Sequence, residues 1–462
     1  MEQEMKALVP VVQESGSLDD KTDSIAFLKL CGSSVVERTL VLLASAGVIE
    51  VVIISAYDKQ TIERHLQEVE DLGLHIEYMR VSNDGRRLTE AVLAARNTIK
   101  GEFVVVPANL VFDGRILEHL KEKEGITLCY DDDWSQHSAD TSAKLVVSNE
   151  RIEQIGAQEG NGIFVGLCKL SPEVFPLLEE CAYKGHTWIE SLQRIADKFE
   201  VKGLNVSDIP SYVPGMRRRV RPFWCKVHSK KDLASCKRQL VASTQKGTLD
   251  FHAWYINRHI ENKILYYLSE LRITPNQLTV LTNIVAYLVS FLFLTGHLLA
   301  GSLLTYAVSV MDGLDGKLAR IRGRLTKLGN IEHSFDFLFE QSWYVSLAWF
   351  LSSHPDRFSP TGALGQAPLK IALGIVLFNG FATHCYMQFK EVMGISLSDC
   401  APFDRKFRRF DGRKNIYIYY ILLGVILGVP LYSLFAILIH GAVTAVVYAL
   451  RACKHLKESD VK

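Results

Sequence analysis

The 462-residue chain has no surplus of either charge: 52 Lys and Arg stand against 51 Asp and Glu, for a formal net charge of +1. That balance argues against a strongly basic nucleic-acid binder and against an acidic disordered chain. There is no C-x-x-C pair, and the nine cysteines are scattered and odd in number. This predicts reduced thiols in a cytosolic compartment, not a disulfide framework. The opening MEQEMK is acidic and lacks an apolar stretch, so no cleaved signal is expected. Residues 1–250 lack any uncharged run as long as 18. The rest reverses this: 273–311, 371–389 and 415–450 are runs of 39, 19 and 36 residues without Asp, Glu, Lys or Arg. A membrane helix needs about 20 apolar residues. The pattern predicts a soluble domain followed by a polytopic membrane domain.

In the first half, short β-rich apolar runs at Ala7–Val12, Glu50–Ala56, His75–Val81 and Phe103–Pro107 alternate with helical patterns near Ser34–Ala46, Lys59–Asp71 and Arg87–Ile99. This alternation predicts a parallel, three-layer α/β domain. Lys144–Lys169 reads as shorter, antiparallel strands, and Lys230–Thr244 as a closing helix. Residues 250–272 follow, with Trp254, Tyr255, Ile260, Ile264, Leu265 and Leu268 interleaved with Arg and Lys. This suits an amphipathic helix along a membrane face, the alternative being a linker helix packed on the soluble domain.

Thr274-Pro275-Asn276-Gln277 carries the signs of a helix start: a Thr N-cap, Pro at the first position and Gln completing a capping box. Two spans are expected in 273–311, broken near Gly296-His297 and Gly301, and two in 415–450, broken near Gly428-Val429-Pro430. Spans near Ser334–Phe350 and Leu369–Phe389 bring the total to six. Basic residues gather in Arg320–Lys327 (Arg320, Arg322, Arg324, Lys327), in Lys390–Lys414 and in the tail (Arg451, Lys454, Lys457), while the alternate connections carry few. Positive residues stay inside, which places both termini in the cytosol.

The segment from Met311 to Glu340 is the one that carries chemistry. Acidic residues at membrane depth are costly and functional as a rule, and here there are five: Asp312, Asp315, Glu332, Asp336 and Glu340. Asp312 and Asp315 share a helix face by their spacing of three, and Glu332 and Asp336 by their spacing of four. Two such helix ends facing each other would make a carboxylate cage for Mg²⁺ or Mn²⁺. Gly313 and Gly316 would let a bulky ligand reach the backbone. The alternative is that the acids pair with Arg320, Arg322 and Arg324.

The segment resembles the signature of the CDP-alcohol phosphotransferase family, D-x-x-D-G-x-x-A-R followed by G-x-x-x-D-x-x-x-D. Asp312, Asp315, Gly316, Ala319 and Arg320 match unchanged. The second half departs. Placing Gly329 at the glycine puts His333 and Phe337 at the last two acids; the shorter spacing puts Leu328 at the glycine and Glu332 and Asp336 at the acids. The second alignment is preferred, because it keeps an acid pair and because E-H-S-F-D resembles the D-H-x-x-D of choline and ethanolamine phosphotransferases. Glu340 stays open as a competing partner. The resemblance covers about residues 250–455 and includes the T-P-N-Q-L-T start. It implies a CDP-alcohol donor, an alcohol or polyol-phosphate acceptor, release of CMP and a divalent metal. By matched position Asp312, Asp315, Glu332 and Asp336 would be metal ligands, and Asp336 the general base. His333 could share that role or be a helix-surface histidine. Gly316, Ala319, Arg320 and Asn276 would border CDP. Arg413 and Lys414 resemble the basic pair that family members place near the acceptor phosphate; plain positive-inside topology is the alternative for the cluster they belong to. The family also implies a homodimer.

Residues 5–56 resemble the sugar-phosphate nucleotidyltransferase fold through SSVVERTLVLLASAGVIEVVIISAY. The fusion resembles bifunctional enzymes that make CDP-inositol and then di-inositol phosphate phosphate. The functional positions differ, however. The glycine-rich loop reads Val11-Val12-Gln13-Glu14-Ser15-Gly16-Ser17, and the G-D of the metal site reads Ala108-Asn109. W-x-D-V-D-T reads Trp224-Cys225-Lys226-Val227-His228-Ser229. Loss of those carboxylates predicts an inactive domain that binds nucleotide or serves as a scaffold, with Lys226 in a cation's place.

The expected architecture is an α/β nucleotidyltransferase-like (Rossmann-like) domain over 1–248, an amphipathic interfacial helix over 249–273 and an all-α transmembrane domain of about six helices over 274–455. The expected protein is an integral membrane phosphotransferase of phospholipid or polyol-phosphodiester synthesis, in the inner or plasma membrane, with membrane lipid and no nucleic acid as partner. The alternatives are an enzyme that also makes its own CDP-alcohol from CTP and a polyol phosphate, and a non-catalytic membrane binding protein.

Overall fold

A computed structural model describes residues 5–11, 24–66, 72–81, 88–133, 143–247, 250–323, 331–355 and 365–460. The loop over 12–17, Arg324, Lys327, Leu328 and Gly329 lie outside them. The chain divides into two compact units, Met1–Val213 with Arg219–Ser243, and Pro214–Arg218 with Thr244–Lys462.

The first unit is built on a nine-stranded sheet. Its strands are β1 Lys6–Val11, β2 Glu50–Ser55, β3 His75–Arg80, β4 Phe103–Val105, β5 Thr127–Asp131, β6 Lys144–Ser148, β7 Arg151–Ala157, β8 Gly162–Leu170 and β9 Lys202–Asn205. Their spatial order is β3-β2-β1-β4-β8-β5-β9-β7-β6. β1 to β4 pair in parallel, as the alternating pattern predicts. The sheet as a whole is mixed, because β8 enters antiparallel between β4 and β5. No crossover helix separates β6, β7 and β8, so they have no route to parallel pairing. Asn149 and Glu150, both at positive φ, turn the β6–β7 hairpin.

Helices cover both faces. α1 Val35–Ser45 starts on a capping box made by Ser34 and Glu37. It is followed by α2 Lys59–Arg64, α3 Leu88–Ala94, α4 Gly114–Glu122, α5 Phe175–Tyr183, α6 Trp188–Lys198 and α7 Lys230–Ser243. α1 and α4 bury Val36, Leu40, Ile116 and Leu120 in one core, and α3, α5 and α6 bury Val92, Leu178 and Leu192 in another. The two cores make the three layers. One expectation is corrected: Cys225 and Cys236 form a disulfide. The chain doubles back from Trp224–Lys226 into α7, which brings two cysteines 11 apart in sequence to a Cα separation of 6.0 Å. The spacing alone carries no sign of it.

The second unit is helical: α8 Arg258–Leu268, α9 Pro275–Leu294, α10 Leu298–Ile321, α11 Glu332–Ser353, α12 Ala367–Met393, α13 Lys414–Ile426 and α14 Pro430–Asp460. α9 to α14 stand where the six spans are expected. Three of them, α9, α12 and α14, are long and apolar enough to cross a membrane by length and composition. α9 begins on the expected box, with the Gln277 N–H donating to Thr274 Oγ1 at 3.2 Å and Thr274 N–H to Gln277 Oε1 at 3.0 Å. Gly296 and Gly428, at positive φ, break the helices as read, whereas Gly301 lies inside α10, where a Cβ would meet Phe293.

Large apolar side chains point outward, such as Val280, Ile284 and Phe291 on α9, Leu377 on α12, and Phe435 and Val443 on α14. Inside, small and polar residues such as Thr282, Ser290, Thr305, Asn379 and Thr444 stand among apolar ones such as Phe293, Trp343 and Leu347. This is how helices pack in lipid, where close approach and hydrogen bonds hold them together. The stretch around α8 follows the same rule. Tyr255, Ile256, Ile260 and Ile264 are exposed while Asn257 and Glu261 are buried.

Candidate functional site

The D-x-x-D-G-x-x-A-R motif lies along the second half of α10, and the E-H-S-F-D run forms the first turns of α11. The two helices bring Asp312 and Asp336 close enough for their carboxyls to share a hydrogen bond when one is protonated. Lys414, at the start of α13, places its ammonium 2.9 Å from Asp312 Oδ2 and 4.8 Å from the centre of the Phe339 ring. Its charge also faces Asp336 and Glu340. Asp312 Oδ1 is buried and has no hydrogen-bond partner. His333 Nδ1 lies 3.6 Å from Asp336 Oδ2, with the histidine side chain 74% exposed and the aspartate 18%. Glu340 accepts from the Tyr344 hydroxyl at 2.7 Å.

Asp315 is buried and set apart from that pair by its own contacts. It accepts from Thr279 Oγ1 at 2.8 Å and from the Gly316 N–H at 2.6 Å. Thr279 ends the T-P-N-Q-L-T run, so that start both caps α9 and steadies the second acid of α10. Sequence reasoning did not assign Thr279; its place in that run was the available signal. Asn276 is exposed, and Ala319 is half-buried. Arg320 donates to the Thr244 carbonyl at 2.8 Å. Glu332 opens α11, and its side chain lies outside the described residues.

Gly313 does different work from that expected. At Gly313 a Cβ would stand 2.7 Å from a Glu261 carboxylate oxygen, so the bare backbone makes room for α8 and not for a ligand. At Gly316 the nearest atom is on the Arg320 guanidinium, at 3.2 Å. Glu261 pairs with Lys317 at 2.8 Å, and Lys317 also donates to Gln245 and Asn262. Burial raises the Glu261 carboxyl above its ordinary pKa, with Lys317 opposing. A polar chain links the same elements: Asn257 to Ser309, Ser309 to Asn415, and Asn415 to Asp250. Arg322 donates to the Leu271 and Ile273 carbonyls and clasps the turn between α8 and α9.

Arg413 and Lys414 are adjacent in sequence but face different partners. Arg413 donates to Asp411 at 2.9 Å and to the Tyr448 hydroxyl at 3.2 Å. Burial pushes the Asp411 carboxyl up to about 6, against the pull of Arg408.

In the first unit, the strand Leu110–Phe112 pairs with Trp224–Lys226, and the Val227 N–H donates to the Asn109 carbonyl at 2.8 Å. The replaced acid positions Asn109, Lys226 and His228 therefore come together on neighbouring segments of the chain. Lys226 Nζ donates to the Phe164 carbonyl at 3.0 Å, over the Phe164 ring. Trp224 Nε1 donates to buried Asp131 at 2.7 Å, and Arg221 pairs with Asp131 and Asp133.

Hard carboxylate oxygens suit Mg²⁺ or Mn²⁺, and the partnerless Asp312 Oδ1 is a lone-pair site of the right kind. Among the described residues, no group of three or more His, Cys, Asp or Glu is gathered as a ready metal site. Lys414 engages Asp312, and Thr279 engages Asp315.

Residues 272–354 match the family profile for CDP-alcohol phosphatidyltransferase, and residues 22–138 that for nucleotidyl transferase. The chain is 26% identical over 421 residues to a bifunctional IPC transferase and DIPP synthase of Aquifex aeolicus, covering 90% of each protein. It is 24% identical over 336 residues to a protein of the same name from Thermococcus kodakarensis, covering 71% of this chain and 72% of that one. An archaetidylinositol phosphate synthase of Pyrococcus horikoshii is 37% identical over 83 residues, covering 18% of this chain and 44% of that protein. Among solved structures, the inositol-1-phosphate CTP transferase from T. maritima matches with 18% identity and a TM-score of 0.43, over 51% of this chain and 98% of that chain.

Proposed function

The chain carries a nucleotidyl transferase domain ahead of a CDP-alcohol phosphatidyltransferase domain, and on that premise we propose a membrane enzyme that moves a substituted phosphate from a CDP-alcohol to an acceptor alcohol and releases CMP. The observation that carries this reading is the meeting of Asp312 and Asp336 from two helices, with Lys414 against them. Asp312, Asp315 and Asp336, with Glu332 at the head of α11, would hold Mg²⁺ or Mn²⁺, which supplies charge neutralisation for the donor's diphosphate. Asp336 takes the proton from the acceptor hydroxyl, and His333 accepts or relays it toward solvent. Asp315, fixed by Thr279, keeps the face of α10 in register. Gly316, Ala319, Arg320 and Asn276 border the nucleotide. The enzyme is a homodimer in the inner or plasma membrane, with its basic connections and both termini cytosolic. Its products are phospholipids or polyol phosphodiesters, and its acceptor carries a phosphate.

The amide, ammonium and imidazole at Asn109, Lys226 and His228 support a first domain that binds nucleotide without transferring it. The long match to relatives named as bifunctional favours a second reading, in which this domain makes the CDP-alcohol from CTP and a polyol phosphate.

The test is CMP release by the detergent-purified protein with Mg²⁺ or Mn²⁺, offered CDP-diacylglycerol and soluble CDP-alcohols with alcohol and polyol-phosphate acceptors. Asp336→Asn is expected to lower CMP release by about 10²–10⁴-fold. Full activity in that variant would remove Asp336 from the chemistry. Pyrophosphate formed from CTP and inositol phosphate would establish the second reading.

A further inference from the structure

The two carboxylate oxygens of Asp312 have different fates. Oδ2 accepts from the Lys414 ammonium at 2.9 Å, and Oδ1 is buried with no hydrogen-bond partner. The same ammonium faces the charges of Asp336 and Glu340 and lies 4.8 Å from the centre of the wholly buried Phe339 ring. Asp336, Phe339 and Glu340 share one side of α11 by their spacing. The ammonium thus stands between Asp312 of α10 and two acids of α11, on a side chain only 11% exposed.

Its position is fixed from behind. Asn415, the next residue, accepts from the Ser309 hydroxyl at 2.7 Å and donates to Asp250 at 2.7 Å. Asn257 extends the chain by donating to Ser309 at 3.2 Å. Asp250, Asn257 and Ser309 are all buried. Ser309 stands three residues before Asp312, so the two share a face of α10. Hydrogen bonds in such a low-dielectric interior hold the start of α13 against α10. They aim the adjacent lysine at the first acid of the D-x-x-D motif.

This geometry bears on the metal. Mg²⁺ and ions like it are held by oxygens at about 2.0–2.1 Å. An ammonium in contact with the same carboxylate takes up one of its oxygens, and its charge repels an arriving cation through weakly screening protein. Lysine carries its charge as a compact point on a flexible four-carbon stem, so it can withdraw without disturbing the backbone. We propose that Lys414 is a tethered cation on the metal site: its ammonium holds the acids together until a divalent ion displaces it from Asp312. Metal affinity is then set by a residue that is not a ligand. The proposal rests on the reading of Asp312 and Asp336 as metal ligands, and not on the identity of donor or acceptor.

The experiment is Mn²⁺ binding by the full-length protein in detergent, read as loss of the free-ion EPR signal and as the rise of Tm with Mn²⁺ concentration. Lys414→Met removes the competing charge and is expected to lower the half-saturating concentration by about tenfold or more. Lys414→Arg keeps the charge and adds a fork that grips carboxylates with two bonds, so it is expected to raise that concentration. It also serves if Lys414→Met does not fold. Arg413→Gln removes a like charge one residue away whose partners are Asp411 and Tyr448. It should leave the value within about twofold. Asp312→Asn should lose this Mn²⁺ component, which separates it from any bound elsewhere on the chain. Displacement is read directly by acylation: labelling of Lys414 by acetic anhydride, quantified by mass spectrometry, is expected to rise as Mn²⁺ saturates.

Equal Mn²⁺ affinity in wild type and Lys414→Met would overturn the proposal and leave the acids as metal ligands. So would an equal gain in Arg413→Gln, which would make the effect one of general charge. Lys414 labelling that Mn²⁺ leaves unchanged would mean that both cations fit side by side, and would overturn displacement. No Mn²⁺ binding in any variant, or binding unaltered by Asp312→Asn, would overturn the metal reading itself and the proposal with it.

Discussion

The two units differ in what they leave on the outside. In the first, Val, Ile and Leu of a central sheet are buried from both sides by helices, and exposed large apolar residues such as Ile49 and Tyr183 stand alone. In the second, apolar side chains such as Ile284 and Val443 line the outside, and Asn257, Glu261, Asp315 and Lys317 lie within. Water is the poor solvent for apolar groups in one case, and lipid for charges in the other. The difference teaches that exposure carries opposite meanings in the two halves: an outward apolar side chain is the exception in the first and the rule in the second, whose interior mixes an apolar core such as Phe293, Trp343 and Leu347 with polar groups that hydrogen-bond between helices.

The sharpest way to break this comparison is to remove one member of an inward charge pair. Glu261→Ala leaves Lys317 buried without its carboxylate and should destabilise the helical unit by about 3–5 kcal/mol. Replacing both with Met should recover much of that loss, read as detergent-solubilised Tm. An unchanged Tm in the single variant would mean that water reaches the pair.

Outward positions give the next effect. Ile284→Asp on the exposed face of α9 should cost about 2.5–3.5 kcal/mol of membrane insertion. Tyr183→Asp, equally outward in the first unit, should change stability by less than about 0.5 kcal/mol. Similar behaviour of the two variants, measured as the membrane-integrated fraction and as Tm, would remove the distinction.

Acid titration separates the halves in another way. The Asp411 carboxyl, raised by burial from 3.8 to about 6, binds its proton more tightly in the folded chain than in the unfolded one. Its contribution to stability is therefore complete at low pH and is lost as pH rises from about 4 to about 6. Asp411→Asn should flatten that part of the stability–pH curve, measured by Tm across the window. An unchanged slope would place the titration elsewhere. The smallest effect expected is that of Thr274→Ala, which removes the cap of α9 and should cost about 1 kcal/mol, measured by the same melts.

What could be read from sequence was what neighbours along the chain determine. The Thr274–Gln277 box, the break at Gly428 and the common helix of Asp312 and Asp315 all depend on residues within a turn or two. What could not be read depends on residues that meet only after folding. Lys414 is remote in sequence from Asp312, and nothing in its basic surroundings marks it as that acid's partner. Gly313 looked like room for a ligand until α8 supplied Glu261 to fill it. The Cys225–Cys236 bond needs the chain reversal after Trp224, and the antiparallel entry of β8 needs the missing crossover. Arg217 lay in a stretch without periodicity or motif, so its hydrogen bond to the Tyr386 hydroxyl had no local sign.

The contact between Glu261 and bare Gly313 sets a level. α8 presents its apolar side outward and is locked through Lys317 to the helix that carries Asp312 and Asp315. Because Gly313 lets the two helices touch, α8 and the acid-bearing stretch of α10 can only rise or sink together, like two boards nailed at one point.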